Sequence, residues 1–170
     1  ITVNSYATTR HALNNGGMQE NFTSWNKLAV QLAKETLDAS EPDRKILIAG
    51  SVSNFGHFDD RYTDEQLAPN FRDQAEILIE NGVDFIILES LGAKTSTIVT
   101  ALNAIAAFDV PIWVAVSCAA DHESGQLFLG IEESRIHSHR PLAHQSFGNA
   151  IKTIMNTPGS PLLVLLSTVV

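Results

Sequence analysis

Glu89 is the residue best placed to do chemistry in this sequence. It closes the otherwise apolar run Phe85-Ile86-Ile87-Leu88, and a carboxylate at the end of such a run is costly to bury unless paired. It can bind a substrate ammonium group or act as a general base; the alternative is a salt bridge to a neighbouring Lys or Arg. Other apolar runs also end in polar residues. Asn4, in Thr2-Val3-Asn4-Ser5-Tyr6, can donate to a substrate carboxylate or to a neighbouring strand's backbone. Gly50-Ser51-Val52-Ser53 offers backbone amides for a carboxylate, with a glycine that admits a ligand or another chain. Ser117 and Ser167 end two further runs.

Cys118 is the single cysteine. It can be a thiolate nucleophile or metal ligand, but spacing identifies no partner for it, and a small buried residue is the competing assignment. His137, His139 and His144 lie close together, which invites a metal site. They lack acidic or cysteine companions at ligand spacing, and a solvated loop is the reading favoured. The sequence contains no P-loop string, no Gly-x-Gly-x-x-Gly after a strand, no His-Glu-x-x-His and no Cys-x-x-Cys. A Gly-x-Ser-x-Gly elbow is also absent. Nucleotide-driven chemistry is therefore unsupported.

The elements that must position these residues recur along the chain. Ile1–Ala7, Lys45–Ser53, Asp84–Ser90, Pro111–Cys118 and Pro161–Thr168 are rich in Ile, Val and Leu, as suits strands covered on both faces. Helices are expected between them. Phe22–Ala39 carries Trp25, Leu28, Ala29, Leu32, Ala33 and Leu37 as an apolar stripe. Glu65–Asn81 turns Leu67, Phe71, Ala75, Leu78 and Ile79 inward and stops at Gly82. Ala93–Phe108 and Pro141–Asn156 complete the set, with Thr95 or Ser96 near the start of the former. His11–Glu20 reads as a loop, and Ala119–Arg140 as a long functional connection.

Parallel strands joined by helices gather all carboxyl ends on one side. Asn4, Ser51, Glu89, Ser117 and Ser167 then share a mouth. Five strands and four helices fit an open doubly wound sheet or about five of the eight strands of a (β/α)8 TIM barrel. Both ends of the chain fall in strands, and the reading favoured is a single partial barrel domain over residues 1–170.

The chain of 170 residues is 44% hydrophobic and 18% charged, ordinary values for a globular domain. Its formal charge of −8 and scattered basic residues argue against a nucleic-acid partner. No window reaches a membrane span. One cysteine precludes an intrachain disulfide and fits a reducing, cytoplasmic setting.

Taken in order, four strings resemble the homocysteine S-methyltransferase family. They are Thr2-Val3-Asn4-Ser5-Tyr6; Ala49-Gly50-Ser51-Val52-Ser53; Gly82-Val83-Asp84 with Leu88-Glu89-Ser90; and Val116-Ser117 followed by Asp121 and Gly125. That family includes the betaine-dependent enzymes and the homocysteine-binding part of cobalamin-dependent methionine synthase. The resemblance starts at what would be the second barrel strand and runs through nearly the whole chain.

It implies a (β/α)8 barrel and transfer of a methyl group from a donor to a thiol, in methionine biosynthesis. Zinc would bind the homocysteine sulfur and favour thiolate. Glu89 would hold the substrate ammonium, with Asn4, Ser51 and Ser117 lining the pocket. A homo-oligomer is compatible with it. The family's first strand with Asp-Gly-Gly, and its paired zinc cysteines, have no counterpart in the sequence. Ser167 stands where a third zinc cysteine is expected, and a serine hydroxyl stays protonated near neutral pH. A second reading follows: a divergent zinc-less barrel that binds an amino acid or methylated small molecule without methyl transfer. A third, an unrelated doubly wound hydrolase or isomerase, predicts helices on both faces of the sheet.

Overall fold

A computed structural model describes residues 1–56, 61–91, 94–120, 127–129, 146–158 and 163–168. The strands are β1 (Ala49–Ser53), β2 (Phe85–Glu89), β3 (Ile112–Ala120), β4 (Leu127–Leu129) and β5 (Leu163–Thr168). The helices are α1 (Arg10–Asn15), α2 (Phe22–Ser40), α3 (Asp64–Glu80), α4 (Thr95–Ile105) and α5 (Phe147–Met155).

Parallel pairing runs β1 to β2 to β3 to β5, with α3 after β1, α4 after β2 and α5 before β5. Side chains alternate across a strand, so the registers sort the sheet into two faces. Val52, Ile86, Leu88, Ile112, Val114 and Val116 lie on one face and join Leu67, Phe71, Leu78, Ile98, Leu102 and Ile154 of the helices in a single core. The other face carries Ser51, Ser53, Ile87, Glu89, Trp113, Ala115 and Ser117. Among the described residues, the core that the helices share with the sheet contains side chains of the first face and none of the second. That is the arrangement of an α/β barrel wall, and it goes against the doubly wound alternative.

Gly50 belongs to the helix side: a Cβ there would come 2.9 Å from Ile86 Cδ1 and 3.2 Å from Leu78 Cδ1. The glycine thus admits α3 and not a ligand. α3 starts from a full capping box, with Thr63 and Gln66 each bonding the other's backbone N–H. It ends one residue before Asn81, with Gly82 at φ +99.

Several expectations need correction. The first strand, expected over Ile1–Ala7, is reduced to an isolated parallel bridge. Thr2 bridges Ala49, and the Ser5 N–H then turns back to the Val3 carbonyl. The segment expected as a loop over His11–Glu20 holds α1 and a 3-10 turn, Gln19–Asn21. Six helical residues are too few to show periodicity, and α1 depends on its cap, Thr9 Oγ1 accepting from the Ala12 N–H at 3.2 Å.

The buried stripe of α2 is Phe22, Asn26, Ala29, Val30 and Ala33. Trp25, Leu28 and Leu32, expected inside, are 37%, 47% and 53% exposed. Within the connection expected over Ala119–Arg140, β4 pairs antiparallel with the end of β3. Cys118 faces both Leu129 and Thr168 in register, so β4 continues the edge that β2 occupies lower down and leaves the parallel order intact. The rest of that connection lies outside the described residues. β1 is also shorter than expected, starting at Ala49, while β3 runs on past Cys118 to Ala120.

Candidate functional site

The carboxyl ends of β1, β2 and β3 bring polar groups together on the face turned away from the helices. Ser53 and Glu89 are partners in register, and Glu89 in turn stands beside Ala115. Ser51 Oγ donates a hydrogen bond to Glu89 Oε1. Ser51 is fully buried, and Glu89 is half-buried. A hydroxyl has one proton to donate, so Ser51 holds Glu89 and cannot donate to a substrate carboxylate at the same time. Ser53 is similarly committed, its Oγ donating to the Tyr6 carbonyl at 2.6 Å.

Below the carboxylate the face is apolar. Phe85 and Trp113 pack with ring centroids 4.5 Å apart, and Ile87, level with Trp113 in register, separates Phe85 from Glu89 along β2. Ser90, directly after Glu89, has φ +52. The chain therefore turns sharply just after the carboxylate, in a left-handed conformation that a non-glycine residue seldom adopts.

The remaining sequence-derived candidates divide. Ser117 is buried on the same face as Glu89, two residues past Ala115. Ser167 occupies the register position of Ser117 on β5. Asn4 comes level with Ser51, since Thr2 pairs with Ala49. It is exposed, however, and lines a groove of about 400 Å³ with Ile1, Trp25, Leu28 and Leu32. No side chain lining that groove is ionisable, so the chemistry belongs to the Glu89 face and not to the groove. Cys118 is buried on the helix side of β3, in line with Val114 and Val116, the position of a small core residue.

A family profile described as Homocysteine S-methyltransferase matches residues 1–148. The chain belongs to the homocysteine S-methyltransferase family. The fold agrees. The metallated form of the homocysteine methyltransferase MmuM from Escherichia coli superposes with TM-score 0.70 at 17% identity, over 97% of this chain and 56% of that one. Its oxidized form gives 0.69 at 16%, over 97% and 55%. The chain spans a little over half the length of these neighbours, and its sheet is part of a TIM barrel that does not close within the described residues. No curated protein matches it.

Among the described residues, the donors present do not make up the thiolate zinc site that the family resemblance implies. The one thiol, Cys118, is turned into the helix layer. Ser167 at the expected cysteine position brings a hydroxyl that stays protonated. Among the described residues no three His, Cys, Asp or Glu side chains gather. His137, His139 and His144 lie outside the described residues.

Sequence reasoning missed Ser5, Asn26 and Gln74, which are 0%, 0% and 1% exposed and linked to the site from behind. Gln74 Nε2 donates to the Ser5 carbonyl at 2.9 Å and to Asn26 Oδ1 at 3.1 Å. A signal existed: each amide falls on the apolar stripe of its helix, Asn26 between Phe22 and Ala29, Gln74 between Phe71 and Leu78.

Proposed function

We propose that this chain carries the homocysteine-binding wall of an enzyme that transfers a methyl group to the thiol of homocysteine or a related thiol. Glu89 binds the substrate ammonium, and Ser51 and Ser117 border the same pocket. In the reaction the sulfur–methyl bond forms as the donor–methyl bond breaks, and the thiol proton is lost. The observation carrying this reading is the Glu89 carboxylate at the carboxyl end of β2, on the face away from the helices, held by the Ser51 hydroxyl. TIM-barrel enzymes bind substrate at that end of the strands.

Zinc is expected of the family, and one neighbour was solved in a metallated form; its ligands are not among the described residues. A small-molecule substrate and methyl donor, a cytoplasmic location and a role in methionine biosynthesis complete the proposal. No helix of the described residues is long and apolar enough to cross a membrane.

The test is calorimetric titration of L-homocysteine into the intact protein and its Glu89→Gln variant. Loss of a charge-assisted contact should weaken binding by about 1.5–3 kcal/mol. An unchanged affinity would remove Glu89 from the site. The second reading, a zinc-less barrel that binds an amino acid without methyl transfer, is favoured by Ser167. Homocysteine binding without methylation by betaine or another methyl donor, in protein that holds no zinc, would select it.

A further inference from the structure

Building on the assignment of Glu89 as the ammonium ligand, we infer that Gln74 and Ser5 are positioning residues that aim its carboxylate through Ser51. The connection is continuous. Gln74, in the helix layer, donates from Nε2 to the Ser5 carbonyl at 2.9 Å. Ser5 Oγ donates to the Ser51 carbonyl at 2.7 Å, and Ser51 Oγ donates to Glu89 Oε1. Ser5, Ser51 and Gln74 are buried, so water does not compete for these bonds.

The orientation of the Gln74 amide is forced. Asn26 gives both Nδ2 protons to carbonyls, Thr8 at 2.9 Å and Phe22 at 2.8 Å, so its Oδ1 faces Gln74. The Ser5 carbonyl is likewise an acceptor. Only the nitrogen of Gln74 can meet two acceptors, and its Oε1 is left buried without a hydrogen-bond partner. That is costly, and an apolar residue on the stripe of Phe71, Ala75 and Leu78 would avoid it. The value of a glutamine there lies in what its nitrogen holds: the turn at Ser5, and through it the peptide of Ser51. None of these groups carries a charge, so the linkage acts by geometry.

The test is a double-mutant cycle on the intact protein. L-homocysteine and its analogue lacking the ammonium group are titrated into wild type, Gln74→Met, Glu89→Gln and the double variant, with thermal melts confirming the fold. Gln74→Met should weaken L-homocysteine binding by about tenfold, leave the analogue unaffected, and add nothing in the Glu89→Gln background. Equal weakening in both backgrounds, equal weakening for both ligands, or no weakening would overturn the inference. If Glu89→Gln alone changes nothing, the ammonium assignment is what fails, and the inference falls with it. Should Gln74→Met not fold, Ser5→Ala serves in the same cycle. It removes the bond to the Ser51 carbonyl and leaves the Gln74 contact with the Ser5 carbonyl in place.

Discussion

Ser51 has one hydroxyl proton and gives it to Glu89, which decides between two roles the residue could have had. A serine that contacts the substrate carboxylate and a serine that orients a neighbouring acid respond differently to truncation. Ser51→Ala should lower affinity for L-homocysteine by about 1 kcal/mol and leave the analogue without the ammonium unaffected, read by titration calorimetry. An equal loss for both ligands would return Ser51 to the carboxylate. The strand-end position of Glu89 was legible because four apolar residues precede it. The roles of Asn26 and Gln74 were not. An amide on an apolar stripe shows that a polar group is buried, but not which acceptors surround it, because Ser5 is 69 residues away from Gln74 in the chain.

At the scale of elements, the long helices follow from local signals and the short ones do not. α3 illustrates the first case. Thr63 and Gln66 cap it reciprocally, and the Thr63 side chain and the Glu65 backbone amide both hold the Glu65 carboxyl below its ordinary pKa. A lowered folded-state pKa contributes stability above the unfolded value and loses it as pH falls through the folded one. Thr63→Ala removes the N-cap and should cost about 1 kcal/mol. The difference from wild type should narrow on acidification, as thermal melts across pH would show; a constant difference would confine the effect to the cap. α2 illustrates the opposite limit. Its 3.6-residue period was correctly read, yet the inward face was misassigned by part of a turn. Ala29 and Ala33 belong to both the expected and the observed stripe, while Trp25, Leu28 and Leu32 lie on the exposed side. Periodicity gives the presence of a face, whereas Val3 and the buried Asn26 bonds determine which face turns inward. β4 was missed because three residues inside a polar connection carry no period at all.

The whole molecule is a piece of barrel wall with one packed side and one side bearing the candidate site. Its metal chemistry is the property most open to measurement. Zinc analysis of the intact protein by atomic emission, before and after Ser167→Cys, tests the donor argument. Wild type should gain no zinc ligand from β5, and the cysteine variant should raise retention if that register position faces a metal. Unchanged retention in the variant would show that β5 takes no part in a metal site. The amino-acid sequence alone determined the alternation of strands and helices, the family and the end of the sheet where polar residues collect, because each is carried by residues near one another in the chain. Only the tertiary structure decided which of those polar residues touch. Whether Ser51 meets Glu89 or a ligand, whether Gly50 faces a pocket or a helix, and whether Cys118 turns to the mouth or the core all depend on strand register. A shift of one residue reverses every side chain, and the local sequence does not encode that choice.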